Sequence, residues 1–328
     1  MVFFRVKMKG GRSYNYLVLN FKHDGKTFQV QRYIGVGRMG KQRKDELIRE
    51  HRDRLLDEAL RKRASLSAAR FTSTVLGLSE LELLERIRLI YSEYRRRFYP
   101  NEVVHLERDL ELNYIHSTTA TEGNTSTLEE VTRLLEDGIS PKGRSLREVY
   151  EIRNFEDVLE FRKKGGKDIS MRTILRLHGL VMRDIDEFTL GALRRIEVGI
   201  RGSDVRLVPA IFVEEELYKL LSWHDKEKER GKMHPVELAA RFHARFEEIH
   251  PFTDGNGRVG RELFNRTVIK WGFPPLNFNV KRRDEYLDGL VSAGHGGFPP
   301  LLEYMIENYK EQMRTRLGNH PLKDVLNG

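Results

Sequence analysis

The chain has 328 residues, 39% of them hydrophobic and 33% charged, with no cysteine and a formal net charge of +9. That length allows roughly two domains and a core that needs no covalent staple, and the composition excludes a disordered chain. The absence of cysteine excludes a disulfide scaffold, a thiol nucleophile and thiolate metal sites, and no apolar run reaches the roughly 20 residues that span a bilayer.

Charge and pattern divide the chain at about residue 70. Residues 1–70 carry 18 Lys and Arg against 7 Asp and Glu, so the whole positive excess sits there and residues 71–328 are slightly acidic. Residues 14–21 and 28–34 are rich in β-formers and flank Asp24-Gly25, a hairpin signal. Residues 2–8 are placed to add a third strand. Gly35, Gly37 and Gly40 end the sheet, after which Leu47, Leu55, Leu56, Ala59 and Leu60 recur at helical spacing. The expectation for 1–70 is a small basic β-sheet domain with a linking helix. Such a basic face either keeps the domain in solution or meets nucleic acid or an acidic surface. Arg5, Lys7 and Lys9 fall where a signal peptide needs its apolar core, which points to a cytoplasmic protein.

From Ser79 onward the pattern is helical. Ser79-Glu80-Leu81-Glu82 reads as a capping box, and Leu83, Ile87, Ile90, Tyr94 and Phe98 make the stripe of a helix that Pro100 ends. Further helices are predicted at 103–119, 127–136, 145–163, 170–183 and 210–229. Between two of them, residues 193–198 and 205–209 are β-rich and are separated by Gly199 and Gly202, which predicts a short hairpin, or flap.

The stretch that carries chemistry runs His250-Pro251-Phe252-Thr253-Asp254-Gly255-Asn256-Gly257-Arg258-Val259-Gly260-Arg261. A helix opening at Pro235 leads into it and another resumes at Glu262. Gly255 and Gly257 can take positive φ and bring backbone N–H groups close to a ligand. The following helix adds its own open N–H groups and positive dipole end. Arg258 and Arg261 share a face at a helix start, an arrangement that wants an anion. Asp254 is a hard oxygen ligand for Mg²⁺, and His250 stands where a proton can be taken near neutral pH. The plainer reading of the same residues is an ordinary turn with His250 as helix C-cap and both arginines at the surface.

The complete string resembles the signature of Fic (Fido-fold) proteins: His, one residue, Phe, one residue, Asp or Glu, Gly-Asn-Gly-Arg, two residues, Arg. The resemblance extends over about residues 80–300. It implies a mainly α architecture, a Fic helical domain over 71–328 with a short β-hairpin flap, preceded by the small β-rich domain. The implied activity is transfer of AMP from ATP to a Ser, Thr or Tyr hydroxyl of a target protein, with release of pyrophosphate. On that resemblance His250 is the base, Asp254 holds Mg²⁺ and Gly255, Asn256, Gly257 and Arg258 cradle the α- and β-phosphates. Arg261 engages the γ-phosphate, Phe252 anchors the loop, and Arg206, Leu207 and Val208 of the flap align the target's backbone. ATP and Mg²⁺ are the implied cofactors and a target protein the implied partner. Self-modification, a homodimer and nucleic-acid contact by the basic segment stay open, and no membrane partner is expected.

A second segment fits the same family. Ser117-Thr118-Thr119-Ala120-Thr121-Glu122-Gly123-Asn124 resembles the inhibitory motif, Ser or Thr, three residues, Glu, then Gly or Asn. It lies on a helix at about 103–123, ahead of the catalytic loop (250–261), as in Fic proteins that carry their own amino-terminal inhibitory helix. The resemblance implies that Glu122 pairs with Arg261 in place of the γ-phosphate, with Thr118 bracing the motif and Gly123 completing it. In some relatives the same glutamate is implicated in removing AMP, so a bifunctional or deAMPylating enzyme, or one using another donor, shares this sequence. From the residues alone, Glu122-Gly123-Asn124 reads as a helix end. His243, Glu247 and His250 roughly share a face, either as a metal cluster or as packing and support. Tyr286 is either core or an adenine contact, and Trp223 and Trp271 are packing residues.

Overall fold

The computed structural model describes residues 2–165, 168–199, 206–318 and 326. The chain divides into two compact units. One gathers Met1–Thr72, Leu76–Tyr94 and Met313–Gly328, the other Ser73–Val75 and Arg95–Gln312.

The first unit contains a three-stranded antiparallel sheet, β1 (Val2–Lys9), β2 (Arg12–His23) and β3 (Lys26–Val36), in the order β1-β2-β3. Both turns have two central residues at positive φ, Gly10 and Gly11 in the first and Asp24 and Gly25 in the second, the geometry that matches the twist of the flanking strands. Residues 2–8 therefore do supply the third strand. Helix α1 (Lys41–Ala68) lies on one side of the sheet, with Lys44 over the Phe4 ring and Arg32 paired to Glu58 at 3.3 Å. Leu17 of the sheet and Leu55 of the helix are fully buried. Helix α2 (Leu78–Arg95) starts earlier than its sequence suggests. Gly77, not Ser79, caps it: the Gly77 N–H donates to Glu80 Oε2 at 2.7 Å and its carbonyl accepts from Leu81 N.

The second unit is helical: α3 (Pro100–Thr121), α4 (Leu128–Glu136), α5 (Leu146–Lys163), α6 (Met171–Val181), α7 (Val213–Arg230), α8 (Pro235–Ile249), α9 (Asn256–Lys270), α10 (Arg283–Gly294) and most of α11 (Pro299–Leu317). Pro100 opens α3 rather than closing α2, because a first-turn proline gives up no intrahelical bond. Thr127 and Ser145 form full capping boxes with Glu130 and Glu148, which fixes the starts of α4 and α5. At the centre, Phe242, Phe246 and Ile249 of α8 and Val259 and Leu263 of α9 pack with Tyr114, Phe155 and Leu177 from α3, α5 and α6. The loop between α8 and α9 is thus held by buried helices on both sides. Helix α9 begins at Asn256, not Glu262, so Arg258 and Arg261 are helical residues on its first turns.

The expected hairpin is not formed by the described residues. Residues 193–199 and 206–209 are irregular chain without strand pairing, and 200–205 lie outside the described residues. The buried Arg194 ties down the arms instead, through the carbonyls of Ile196 and Val208.

Candidate active site

His250 is both a helix C-cap and a presented side chain. It ends α8 in the left-handed conformation, φ 48° and ψ 61°, with its N–H bonded to Phe246 O at 2.9 Å. Its Nδ1 lies 3.3 Å from the Glu247 carbonyl. A carbonyl only accepts, so Nδ1 carries the hydrogen and Nε2 keeps its lone pair. Burial lowers the His250 pKa, and the charge of Arg194 lowers it further against the pull of the Glu247 carbonyl, so the ring is a neutral base at pH 7.

The next five residues make a closed turn. Phe252 is fully buried and stacks on His178, with ring centroids 3.8 Å apart and planes within 3°. Asn256 accepts from Phe252 N at 2.9 Å through Oδ1 and donates to Phe252 O at 2.8 Å through Nδ2. Its amide is therefore spent on shaping the loop, and what it can offer a ligand is its main-chain N–H. Gly255, at φ 78°, caps α9, and a Cβ there would sit 2.9 Å from Met182 Sδ. The first N–H groups of α9 have no intrahelical acceptor and point with the dipole's positive end into the site.

Asp254 stands at the mouth. Its Oδ1 accepts from Gly255 N at 2.6 Å, Arg258 Nη2 is 3.4 Å away, and Arg147 of α5 pairs with Oδ2. Burial works against its charge, yet Arg258, Arg147 and the Gly255 N–H hold its carboxyl below the usual carboxylate range. One exposed-edge carboxylate is the ligand that Mg²⁺ takes when phosphate oxygens and water complete its octahedron. Arg258 is 1% exposed, and its Nε has no hydrogen-bond partner among the described residues. A buried guanidinium N–H left in that state calls for an acceptor, so the donor set suits a bound phosphate.

Arg261, also 1% exposed, is fully engaged. Nε donates to Thr118 Oγ1 at 2.9 Å, Nη2 donates to Thr118 O at 2.8 Å, and Nη2 lies 2.7 Å from Glu122 Oε1. Burial opposes the charge on both partners, but their attraction prevails: the Glu122 carboxyl is held below its ordinary pKa by Arg261 and Arg258, and Arg261 is raised by Glu122. Glu122 is the C-cap of α3. Gly123 follows at φ 102°, with its N–H on Ala120 O and the Asn124 N–H on Thr119 O, a Schellman ending. The helix-end reading and the motif reading of these residues are therefore the same geometry. A Cβ on Gly257 would collide with Glu122 Oε1 and lie 2.9 Å from Arg261 Nη1, so this glycine lets the carboxylate settle on the first turn of α9.

The residue pattern Gly255-Asn256-Gly257-Arg258, the basic anion nest and the pair of buried Arg261 with Glu122 stand within one helical unit. The model of the Fic/DOC family matches residues 168–267. The matched stretch holds the whole of the 250–261 loop, so the chain is similar to Fic proteins where its candidate site lies. Among curated proteins, protein adenylyltransferase fic-1 of Caenorhabditis briggsae is 30% identical over 269 residues, 78% of this chain and 52% of that protein. The Caenorhabditis elegans protein of the same name is 28% identical over 252 residues, 75% of this chain and 49% of that protein. The chain spans about half the length of the curated relatives it matches. Among solved structures, Fic-1 (residues 134–508) from C. elegans superposes with a TM-score of 0.65 at 28% identity, over 73% of this chain and 72% of that one. A Fic family protein from Desulfovibrio desulfuricans does so at 0.61 and 25% identity, over 77% and 85%.

Around the Fic loop the structure adds residues that the sequence did not single out. Arg194 is 4% exposed, and its guanidinium is shared among carbonyls: Nε donates to His250 O at 2.7 Å, Nη1 to Ile196 O at 3.0 Å, and Nη2 to Ile249 O at 3.3 Å and to Val208 O. Its own N–H donates to Pro251 O, and Val208 N donates to Glu248 O. The flap residue Val208 is thereby fastened to the end of α8, while Arg206 is exposed and Leu207 half-buried. His178 accepts from Gly191 N through Nδ1 at 3.0 Å, so its Nε2–H donates to Asp254 O at 3.2 Å. Sequence offered little to find either: Arg194 sits beside Arg195, and His178 lies mid-helix in an apolar stripe. Tyr286 is 2% exposed and stacks on His243, its hydroxyl 2.7 Å from His243 Nε2, which makes it core. His243 Nδ1 lies 3.8 Å from Glu247 Oε1. No group of three or more metal-ligating side chains assembles among the described residues.

Proposed function

We propose that this chain is a protein adenylyltransferase that transfers AMP from ATP to a target hydroxyl and is held in check by Glu122. The observation that carries the reading is the neutral His250 ring, its Nδ1 tied to Glu247 O, standing beside an α9 N-terminus whose arginines are balanced by a carboxylate from another helix.

In the reaction, His250 Nε2 takes the proton as the hydroxyl oxygen of a target Ser, Thr or Tyr forms its bond to the α-phosphorus. The bond from that phosphorus to the bridging oxygen breaks, and pyrophosphate leaves with the electron pair. The open N–H groups at Asn256, Gly257 and Arg258 and the Arg258 guanidinium meet the charge that builds on the phosphate oxygens. Asp254 would hold Mg²⁺, which supplies charge neutralisation at the α- and β-phosphates. Arg261 binds the γ-phosphate once Glu122 gives way. The target segment runs beside Val208, next to a groove of about 850 Å³ that Thr253, Arg194, Phe188 and Ile211 help to line.

A deAMPylating or bifunctional enzyme is the second reading. It is favoured by the ionised Glu122 carboxylate, which is near enough to influence His250 and could orient a water for attack on the modified target. The arrangement, with an inhibitory helix in front of the catalytic loop, is in either case that of α3.

The test is intact-protein mass after incubation with ATP and Mg²⁺, for the wild type, Glu122→Gly, and Glu122→Gly with His250→Ala. One adenylyl group gained by Glu122→Gly and absent from the double variant supports transfer with His250 as base. No adduct on the chain or on proteins of a lysate, in any variant, removes the proposal.

A further inference from the structure

The sheet of the first unit has a side that no part of the Fic chemistry uses. Helix α1 covers the face bearing Phe4, Leu17 and Arg32. Residues directly opposite one another in antiparallel strands point to the same side, so the register defines the other face. On it Arg5 stands opposite Tyr16, Lys7 opposite Tyr14 and Lys9 opposite Arg12, and Tyr16 stands opposite Tyr33. Four cations thus line β1 and the start of β2. Three tyrosines occupy the middle, Tyr33 with its ring 5.6 Å from Tyr16 and 6.4 Å from Tyr14. Tyr33 is 52% exposed, and Lys7 Nζ lies 4.8 Å above the Tyr16 ring.

The three strands contain no Asp or Glu. A face serving solubility alone mixes both signs of charge and keeps aromatic rings covered. This one carries cations on strands that hold no acidic residue and leaves the Tyr33 ring open beside them, with Tyr14 and Tyr16 half-buried. Cations at that spacing suit a chain of phosphates, and exposed rings among them suit unpaired bases, which every sequence can stack. An acidic protein surface would match the cations as well, and competition by polyglutamate separates that partner from unpaired bases.

We propose that this face binds single-stranded nucleic acid, with phosphates on Arg5, Lys7, Lys9 and Arg12 and a base stacked on the exposed Tyr33 ring. The shared chemistry admits DNA or RNA, and the 2′-hydroxyl distinguishes them.

The experiment uses the full chain and fluorescein-labelled DNA and RNA strands of about 20 nucleotides, long enough for one such site, read by fluorescence anisotropy. Binding should weaken with a slope of log K against log salt of about −3, as about four phosphate contacts require. Lys7→Glu with Lys9→Glu should abolish binding at physiological ionic strength. Tyr33→Ala should weaken it at least about fivefold, and Tyr33→Phe, which keeps the ring, should restore it. Circular dichroism checks that each variant folds. The proposal is overturned if neither strand binds at low salt, or if a duplex of the same sequence binds as tightly. It is also overturned if Tyr33→Ala binds like the wild type, or if polyglutamate competes as well as unlabelled strand.

Discussion

Glu122 Oε1 lies 2.7 Å from Arg261 Nη2 and rests on the first turn of α9, over Gly257. One carboxylate therefore meets both a buried guanidinium and the positive end of a helix, the two features that an incoming triphosphate would seek. Thr118 holds the same arginine from behind, through its hydroxyl and its carbonyl. Thr118 thus gives Arg261 two hydrogen bonds that do not involve Glu122.

That separation of roles predicts a graded release. Glu122→Gln keeps the shape and loses the charge, and Glu122→Gly loses both. Initial rates of AMP incorporation should rise in the order wild type, Gln, Gly. The full span should be about 10- to 100-fold, the worth of one charge-assisted hydrogen bond of about 1.5–3 kcal/mol. Equal rates in all three would detach this carboxylate from control of the site.

His250 must be neutral to accept a proton, and burial first, then Arg194, draws its pKa below the ordinary 6.5. In the Glu122→Gly protein the rate should be level across neutral pH and fall only on acidification, through a midpoint under 6.5. His250→Ala should lower it about 10²- to 10⁴-fold. A rate already falling at neutral pH would contradict the assignment.

Arg194 is a positioning residue. It holds the carbonyl of His250 and that of Val208 with one guanidinium, and none of its recorded bonds reaches Asp254, Arg258 or Arg261. Arg194→Lys keeps the charge but cannot serve these carbonyls together. Turnover should drop about 10²-fold, as displacement of a reacting group by an ångström does, while nucleotide affinity by calorimetry stays near wild type. Loss of both in proportion would mean general damage instead.

His178 makes a stability prediction. Burial lowers its pKa from 6.5 to about 4 in the folded protein. Below pH 6.5 the unfolded chain takes up the proton and the folded one does not. Its contribution is therefore complete above 6.5 and is lost as pH falls toward 4, to a total of roughly 3 kcal/mol. Urea midpoints should decline over that window, and His178→Gln should flatten the decline. An unchanged slope in the variant would place the sensitivity elsewhere.

Much of this protein was legible along the chain. The helices predicted over 127–136 and 145–163 are α4 and α5, and the capping boxes that start them at Thr127 and Ser145 are contacts between neighbours in sequence, whereas the capping box read at Ser79 gives way to Gly77. Asp24-Gly25 announced a hairpin because positive φ at two successive residues is a local demand. The Fic loop was readable for the same reason: its turn, its glycines and its arginines lie within twelve consecutive positions. The described arms of the flap, 193–199 and 206–209, do not pair as strands, because β-forming residues do so only when a partner edge is offered. Here Arg194 takes the carbonyls of Ile196 and Val208 instead.

What the sequence could not decide is which distant groups meet. Arg194 and Arg195 are adjacent and chemically identical, yet Arg194 is buried against His250 while Arg195 is exposed. Thr118 and Arg261 are 143 positions apart and share two hydrogen bonds. Caps, turns and periodicity act over a few residues, so the sequence by itself determines elements and the local shape of the loop. Burial is a property of the packed whole, and it alone chooses which arginine is shut away from water and must find its partners inside.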